Sequence, residues 1–273
     1  MDTRALLASP LGFLIGLSMG ALGGGGSILS VPVLVYVAGQ DPKAATSTSL
    51  VLVAITSVIG MVPHLRAGRV RVAAGVVFGV AGSAANYAGS QLNKSVDQNV
   101  LLLLFSGVML AAAGATWRRV QRDRRRPVIV EPGGVAAAVV QGPQLRVDVP
   151  TVIRVLVLGS AVGLLTGFFG VGGGFVIVPA LVVAMGFPMA EAVGTSLLVI
   201  AINTAFALAV RARSGAVLEW DVILPFLAAS IAGVLTGARV AGRYRSDVLA
   251  KWFVALLVTV ATYTAIRSVL AIW

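Results

Sequence analysis

Displaced by 147 positions, this sequence falls on itself. The stretch GLSMGALGGGGSILSVPVLVYVAG (16–39) lies over GLLTGFFGVGGGFVIVPALVVAMG (163–186). Gly16, Gly20, Gly23, Gly25, Gly26, Pro32 and Gly39 land on Gly163, Gly167, Gly170, Gly172, Gly173, Pro179 and Gly186. Further on, Thr48-Ser49-Leu50 meets Thr195-Ser196-Leu197, and Arg66, Gly68 and Val70 meet Arg213, Gly215 and Val217. Between 16 and 55, 17 of 40 ungapped positions are identical, and Ala/Val/Leu bias does not supply the Gly-Pro-Gly and Thr-Ser pattern. The chain is therefore read as two copies of one unit.

Each copy holds five apolar segments, roughly 5–22, 27–39, 44–63, 70–92 and 98–117, then 151–169, 174–186, 191–210, 219–241 and 248–271. Runs near 20 residues match the length needed to cross a bilayer as a helix, and they are too long for barrel strands. Composition agrees. Of 273 residues, 58% are hydrophobic and 11% charged, against about 25% charged in a soluble domain. A soluble enzyme is strongly disfavoured on that ground. With no cysteine, a disulfide scaffold, thiolate metal sites and cysteine nucleophiles go too. The expected fold is an all-α polytopic membrane protein with 8–10 helical segments. Its domains are 1–117 (first transmembrane repeat), 118–150 (basic cytosolic linker) and 151–273 (second transmembrane repeat). The segment after each glycine cluster has only about 13 residues, short for ~30 Å of hydrocarbon. It reads as a half-helix, forming a hairpin or broken element with the segment before it.

Charge orders the loops. The net charge is +11, and most of it lies between apolar segments, which marks cytoplasmic loops rather than nucleic-acid binding. With Arg118, Arg119, Arg122, Arg124, Arg125 and Arg126 inside, the 64–71 and 239–251 loops are inside and basic. The 93–98 and 211–221 loops are then outside and balanced. This pattern requires an odd number of crossings per half, so the halves are inverted, a design common to secondary transporters. Both termini face outward, and the setting is the plasma or inner cell membrane. The arginine run reads first as a topology signal and second as an anionic-lipid or partner contact. The first apolar stretch recurs inside the chain at 151–169, so it is kept as mature protein rather than a signal peptide.

The glycine clusters carry the functional expectation. Consecutive glycines disfavour helix by about 1 kcal/mol each, and unpaired backbone at membrane depth survives only inside protein or beside a wet cavity. Each cluster precedes a helix start, whose free N–H groups and dipole favour an anion. Gly24, Gly25, Gly26 and Ser27, with Gly172, Gly173 and Gly174, are the candidate substrate-binding backbone. Gly16-xxx-Gly20 and Gly163-xxx-Gly167 read instead as helix-packing contacts. Ser49, Thr195 and Ser196 offer hydroxyls to an oxyanion, with helix capping as the plainer role. Asn203 is a ligand candidate or, like Asn86, interhelical glue. Arg66 and Arg213 are repeat-related and would give each mouth a cationic vestibule, unless they only snorkel to the interface.

What the chain lacks matters as well. All ten acidic residues sit in loops or at segment ends, which disfavours a carboxylate proton relay or cation site. His64, the only histidine, reads as a surface residue at a segment end. No metal cluster, catalytic residue or nucleotide-binding Walker motif is evident, and no cofactor is expected.

At GALGGGGSILSVPVL and GFFGVGGGFVIVPAL, with the stretches from Gly39 to Ser49 and Gly186 to Ser196, the chain resembles the sulfite exporter TauE/SafE family of membrane proteins. The likeness covers about 5–117 and 151–271. It implies transport of small, mostly sulfur-containing anions such as sulfite, thiosulfate or organosulfonates. The expected function is thus a non-enzymatic permease or exporter for such an anion, bound where the two glycine breaks meet. An ion-coupled importer of a sulfur anion and a non-transporting scaffold acting through the arginine linker are the alternatives. The expected partners are the anion and the lipid bilayer, with a homo-oligomer left open and no nucleic acid.

Overall fold

The computed structural model of the chain describes residues 3–93, 98–125, 149–169, 174–212 and 220–272. Among them every regular element is helical. The first half contains α1 (Thr3–Leu22), α2 (Ser27–Tyr36), α3 (Pro42–Arg66), α4 (Val72–Asn93) and α5 (Gln98–Arg125). The second contains α6 (Val149–Phe169), α7 (Gly174–Pro179) continued by a π-helical turn at Ala180–Ala184, α8 (Met189–Ala212), α9 (Trp220–Arg243) and α10 (Ser246–Ile272). Six of these are long and apolar enough to cross a membrane. The helices begin and end within a few residues of the apolar runs, because burial in lipid or protein satisfies backbone polar groups only inside a helix. One end differs. α5 runs on to Arg125, so the opening of the stretch read as linker is helical. Residues 126–148 lie outside the described residues.

The repeat is visible in the hydrogen bonds that close the short helices. Ala38 N–H donates to Val33 O (3.1 Å) and Gln40 N–H to Leu34 O (3.0 Å). At the matching places, Met185 N–H donates to Ala180 O (3.2 Å) and Phe187 N–H to Leu181 O (3.0 Å). Gly39 and Gly186 stand between them at φ 70° and 80°, a left-handed helix stop that glycine adopts without Cβ strain.

The halves are not side-by-side bundles. The most extensive pairings join α1 to α9 and α4 to α6, so each half lends its first helix to the other. A glycine ridge makes both. Gly12, Gly16 and Gly20 lie against Phe226, Ser230 and Val234, and Gly159, Gly163 and Gly167 against Phe78, Gly82 and Asn86. A Cβ on Gly16 or Gly163 would overlap partner backbone. These are small-residue contacts of the kind that drives helix association in lipid, as the glycine spacing implied. The partner numbers rise together, so both pairs are parallel. α4 is also parallel to α8, through Gly75 on Leu198 and Gly79 on Ile202.

Directions follow. The turn at 67–71 reverses the chain between α3 and α4, and Arg69 O lies against Gly194 near the start of α8. The third helices of the two halves, α3 and α8, therefore run oppositely. The same end gathers Arg69 near Gly242 of α9 and Arg119 Nη1 donating to Val183 O (3.3 Å). The three stretches that the charge count puts on one side thus lie at one end of the bundle, termed here the basic end. A ring cluster, with Phe105 on Phe169 (5.5 Å) and Phe175 (4.9 Å), locks α5, α6 and α7 together.

Candidate functional site

Two hairpins enter the bundle from opposite ends. α1 comes in from the far end, turns at the first glycine cluster, and α2 returns. α6 comes in from the basic end, and α7 with its π turn returns there. The returning arms are 10 residues (α2) and 6 plus 5 (α7 and its π turn). At ~1.5 Å per residue they measure about 15 and 16 Å, together near the ~30 Å of a hydrocarbon core. The hairpin tips meet inside the bundle, Gly24 against Gly174.

Backbone chemistry shapes the first tip. α1 stops where Gly23 N–H donates to Met19 O (2.8 Å) and Gly23 takes φ 75°. Gly24–Gly26 make one 3-10 turn, and Ser27 Oγ donates back to Gly24 O (2.7 Å) before α2 begins. The tips touch through backbone. A Cβ on Gly24 would overlap Gly174, and one on Gly174 would meet Ser27 Oγ at 2.8 Å as well as Gly24. A Cβ on Gly23 would overlap Ser196 Oγ, which itself donates to Val193 O (2.8 Å). The structure thus brings together Gly23, Gly24, Ser27, Gly174 and Ser196, all buried.

The other candidates are placed differently. Gly26 packs on Ile15 and Met19 of α1, and a Cβ on Gly25 would point at Leu256 and Phe253 of α10. Asn203 Oδ1 accepts a hydrogen bond from Ser83 Oγ (2.8 Å), tying α8 to α4 as interhelical glue. Ser49 is buried on α3. Gly170, the glycine it would face by the repeat, lies outside the described residues, as do Gly172, Gly173 and Arg213. Arg66 is exposed at the end of α3.

Three features escape a reading of the sequence. The first is His64, which is buried at 1% exposure rather than on the surface. Its Nε2–H donates to Gly20 O (3.0 Å), a carbonyl near the end of α1, where the last turn lacks intrahelical partners. That bond clamps the first tip to α3. The second is Thr195, whose Oγ1 accepts the Arg71 backbone N–H (3.0 Å) and so faces the basic end rather than the break. The third is an ion pair. Arg71 Nε and Nη2 donate to Glu191 Oε2 and Oε1 at 2.8 and 3.3 Å. The only sequence hint was asymmetry, since the repeat puts Ala44 where Glu191 stands and Leu218 where Arg71 stands.

Comparison with known proteins comes down on one side. The model of the family described as "Sulfite exporter TauE/SafE" matches residues 8–264. A "Probable membrane transporter protein" of Xylella fastidiosa (strain 9a5c) is 34% identical over 264 residues, covering 94% of this chain and 93% of its own. The "Probable membrane transporter protein YdhB" of Bacillus subtilis (strain 168) is 26% identical over 232 residues, covering 85% of this chain and 86% of its own. A third, "Probable membrane transporter protein MJ0441" of Methanocaldococcus jannaschii, is 27% identical over 216 residues, with 75% and 72% covered. No solved structure matches the chain significantly.

Proposed function

The chain belongs to the sulfite exporter TauE/SafE family of integral, multi-pass membrane transporters, which are not enzymes, and on that premise we propose that it is a permease for a small oxyanion. The observation that carries this reading is the meeting of two hairpins inside the bundle, with Gly24 against Gly174. α2 and α7 both start at that meeting point, so the positive ends of two helix dipoles converge there. Each such end favours negative charge, by up to ~2 kcal/mol where partly buried. The proposed site comprises the backbone of Gly24 and Gly174 with the hydroxyls of Ser27 and Ser196. The glycines let backbone reach the ion where any side chain would fill the space. Sulfite or a related sulfonate is the substrate class proposed, in line with the family's description.

The energetics favour efflux. With the basic end cytoplasmic, as its charge argues, an anion leaving an inside-negative cell gains ~2.3 kcal/mol per charge per 100 mV. No carboxylate within the span is then needed for coupling. The test is flux of labelled sulfite from proteoliposomes at a clamped potential, with sulfate and chloride as competitors and Gly24→Leu as control. Potential-sensitive sulfite flux that Gly24→Leu removes is expected. Flux that needs a proton gradient at fixed potential, or folded protein that passes none of the three anions, overturns the proposal.

A further inference from the structure

At the basic end a guanidinium fork is already holding an oxyanion, and that oxyanion belongs to the protein. Arg71 grips Glu191 through two nitrogens, at 2.8 and 3.3 Å. The side chains are 29% and 19% exposed, so an ion from solution can reach the pair. The fork is tied to the proposed pathway along a single helix. Glu191 opens α8, Thr195 one turn on receives the Arg71 backbone N–H, and Ser196 lies against Gly23 of the hairpin tip. Five residues of helix, about 7.5 Å, separate the pair from the break. A second pair at this end, Arg245 with Asp247 at 3.6 Å, is of another kind. It joins near neighbours in sequence at the start of α10, and its arginine is 89% exposed.

We infer that Arg71 is the docking residue for the transported anion at the basic mouth, and that Glu191 is its resident competitor. A sulfonate, a sulfite or a carboxylate presents two oxygens at one end, which an arginine fork binds in the same bidentate way as a glutamate. An arriving anion displaces Glu191, takes its place on Arg71, and stands little more than one helix turn from Ser196. When no anion is present the carboxylate returns and neutralises the mouth. Exchange of one oxyanion for another keeps the guanidinium paired, and the released Glu191 carboxylate, 19% exposed in the pair, turns to water. By the repeat, the positions matching Glu191 and Arg71 are Ala44 and Leu218, which carry no charge. This inference rests on the permease reading and adds to it a specificity residue and a side.

The experiment compares full-length wild type, Glu191→Gln, Glu191→Asp and Arg71→Lys in proteoliposomes, reading sulfite flux against concentration with sulfite supplied at the basic face. Melting of each variant in detergent checks folding. If Glu191 holds the fork most of the time, freeing it lowers the apparent KM by the inverse of the free fraction, expected to be roughly tenfold for Glu191→Gln. Arg71→Lys keeps the charge but loses the fork, and its KM is expected to rise roughly tenfold. Glu191→Asp should fall between Glu191→Gln and wild type. The opposite signs matter, because a purely structural ion pair would make both partners' variants lose Vmax and stability together. Wild-type flux with KM unchanged in Glu191→Gln overturns this inference and leaves the permease reading intact. Absence of flux in both folded proteins removes the two together.

Discussion

Thr195 and Thr48 hold the same place in the two halves and meet opposite fates. Both are fully buried near the start of the third helix of their half. Thr195 Oγ1 receives the backbone N–H of Arg71, while Thr48 Oγ1 has no hydrogen-bond partner among the described residues. Around Thr195 the second half also supplies Glu191, which pins Arg71 by its side chain. Around Thr48 the sequence supplies Ala44. The charged pair beside Thr195 thus has no charged counterpart at the matching sequence positions, Ala44 and Leu218.

The comparison can be broken hardest at the shared centre. Gly24→Leu and Gly174→Leu both push a side chain into the opposite hairpin tip, so each should lower flux by ~100-fold or more, on the order of 3 kcal/mol in barrier. Gly25→Ala, aimed at the flexible tip of Leu256, should keep most of the flux. Equal losses from Gly24 and Gly25 variants would show that general glycine flexibility, rather than contact between the tips, is what transport needs.

Next in size is the clamp on the first tip. His64→Leu leaves the Gly20 carbonyl buried without its side-chain donor, which should cost ~1–3 kcal/mol of stability. The repeat places Arg211 opposite His64, so Arg211→Leu tests whether the second tip has any comparable tie. Calorimetric melting in one detergent reads both, and a His64→Leu protein that melts like wild type would dismiss the clamp.

The two threonines give the most direct contrast. Thr195→Val strands the Arg71 N–H and should cost ~1–2 kcal/mol, whereas Thr48→Val removes an unpaired hydroxyl and should be neutral or slightly stabilising. Chemical unfolding curves separate them, and equal costs would mean that the two mouths are built alike after all. The smallest effect belongs to α5. Gly107 and Gly114 have nothing within 4 Å of a would-be Cβ, so Gly107→Ala should be neutral, or stabilise by up to ~1 kcal/mol from helix propensity.

Legibility in the sequence was uneven, and the division is physical. The apolar runs, the first glycine break, the packing glycines of α1 and α6 and the shared end of the basic stretches could all be read directly. The meeting of Gly24 with Gly174 was expected from inverted symmetry. The swap of first helices between halves was not, because a glycine ridge announces close packing without naming its partner. His64 beside Arg66 looked like a surface residue because it stands at a segment end next to a basic turn. In space it turns inward to a carbonyl 44 residues away.

What the sequence settled alone was local. Hydropathy and the length of the apolar runs fix which segments are helical and roughly how long they are. Consecutive glycines fix where helices break, since there the backbone loses the entropy contest whatever surrounds it. Which carboxylate an arginine holds is decided by tertiary structure, because the answer depends on the crossing register of helices far apart in the chain. Arg71 and Glu191 are 120 residues apart. Only the parallel packing of α4 on α8 brings their first turns level, and a shift of one turn, about 5.4 Å, would leave both side chains in water.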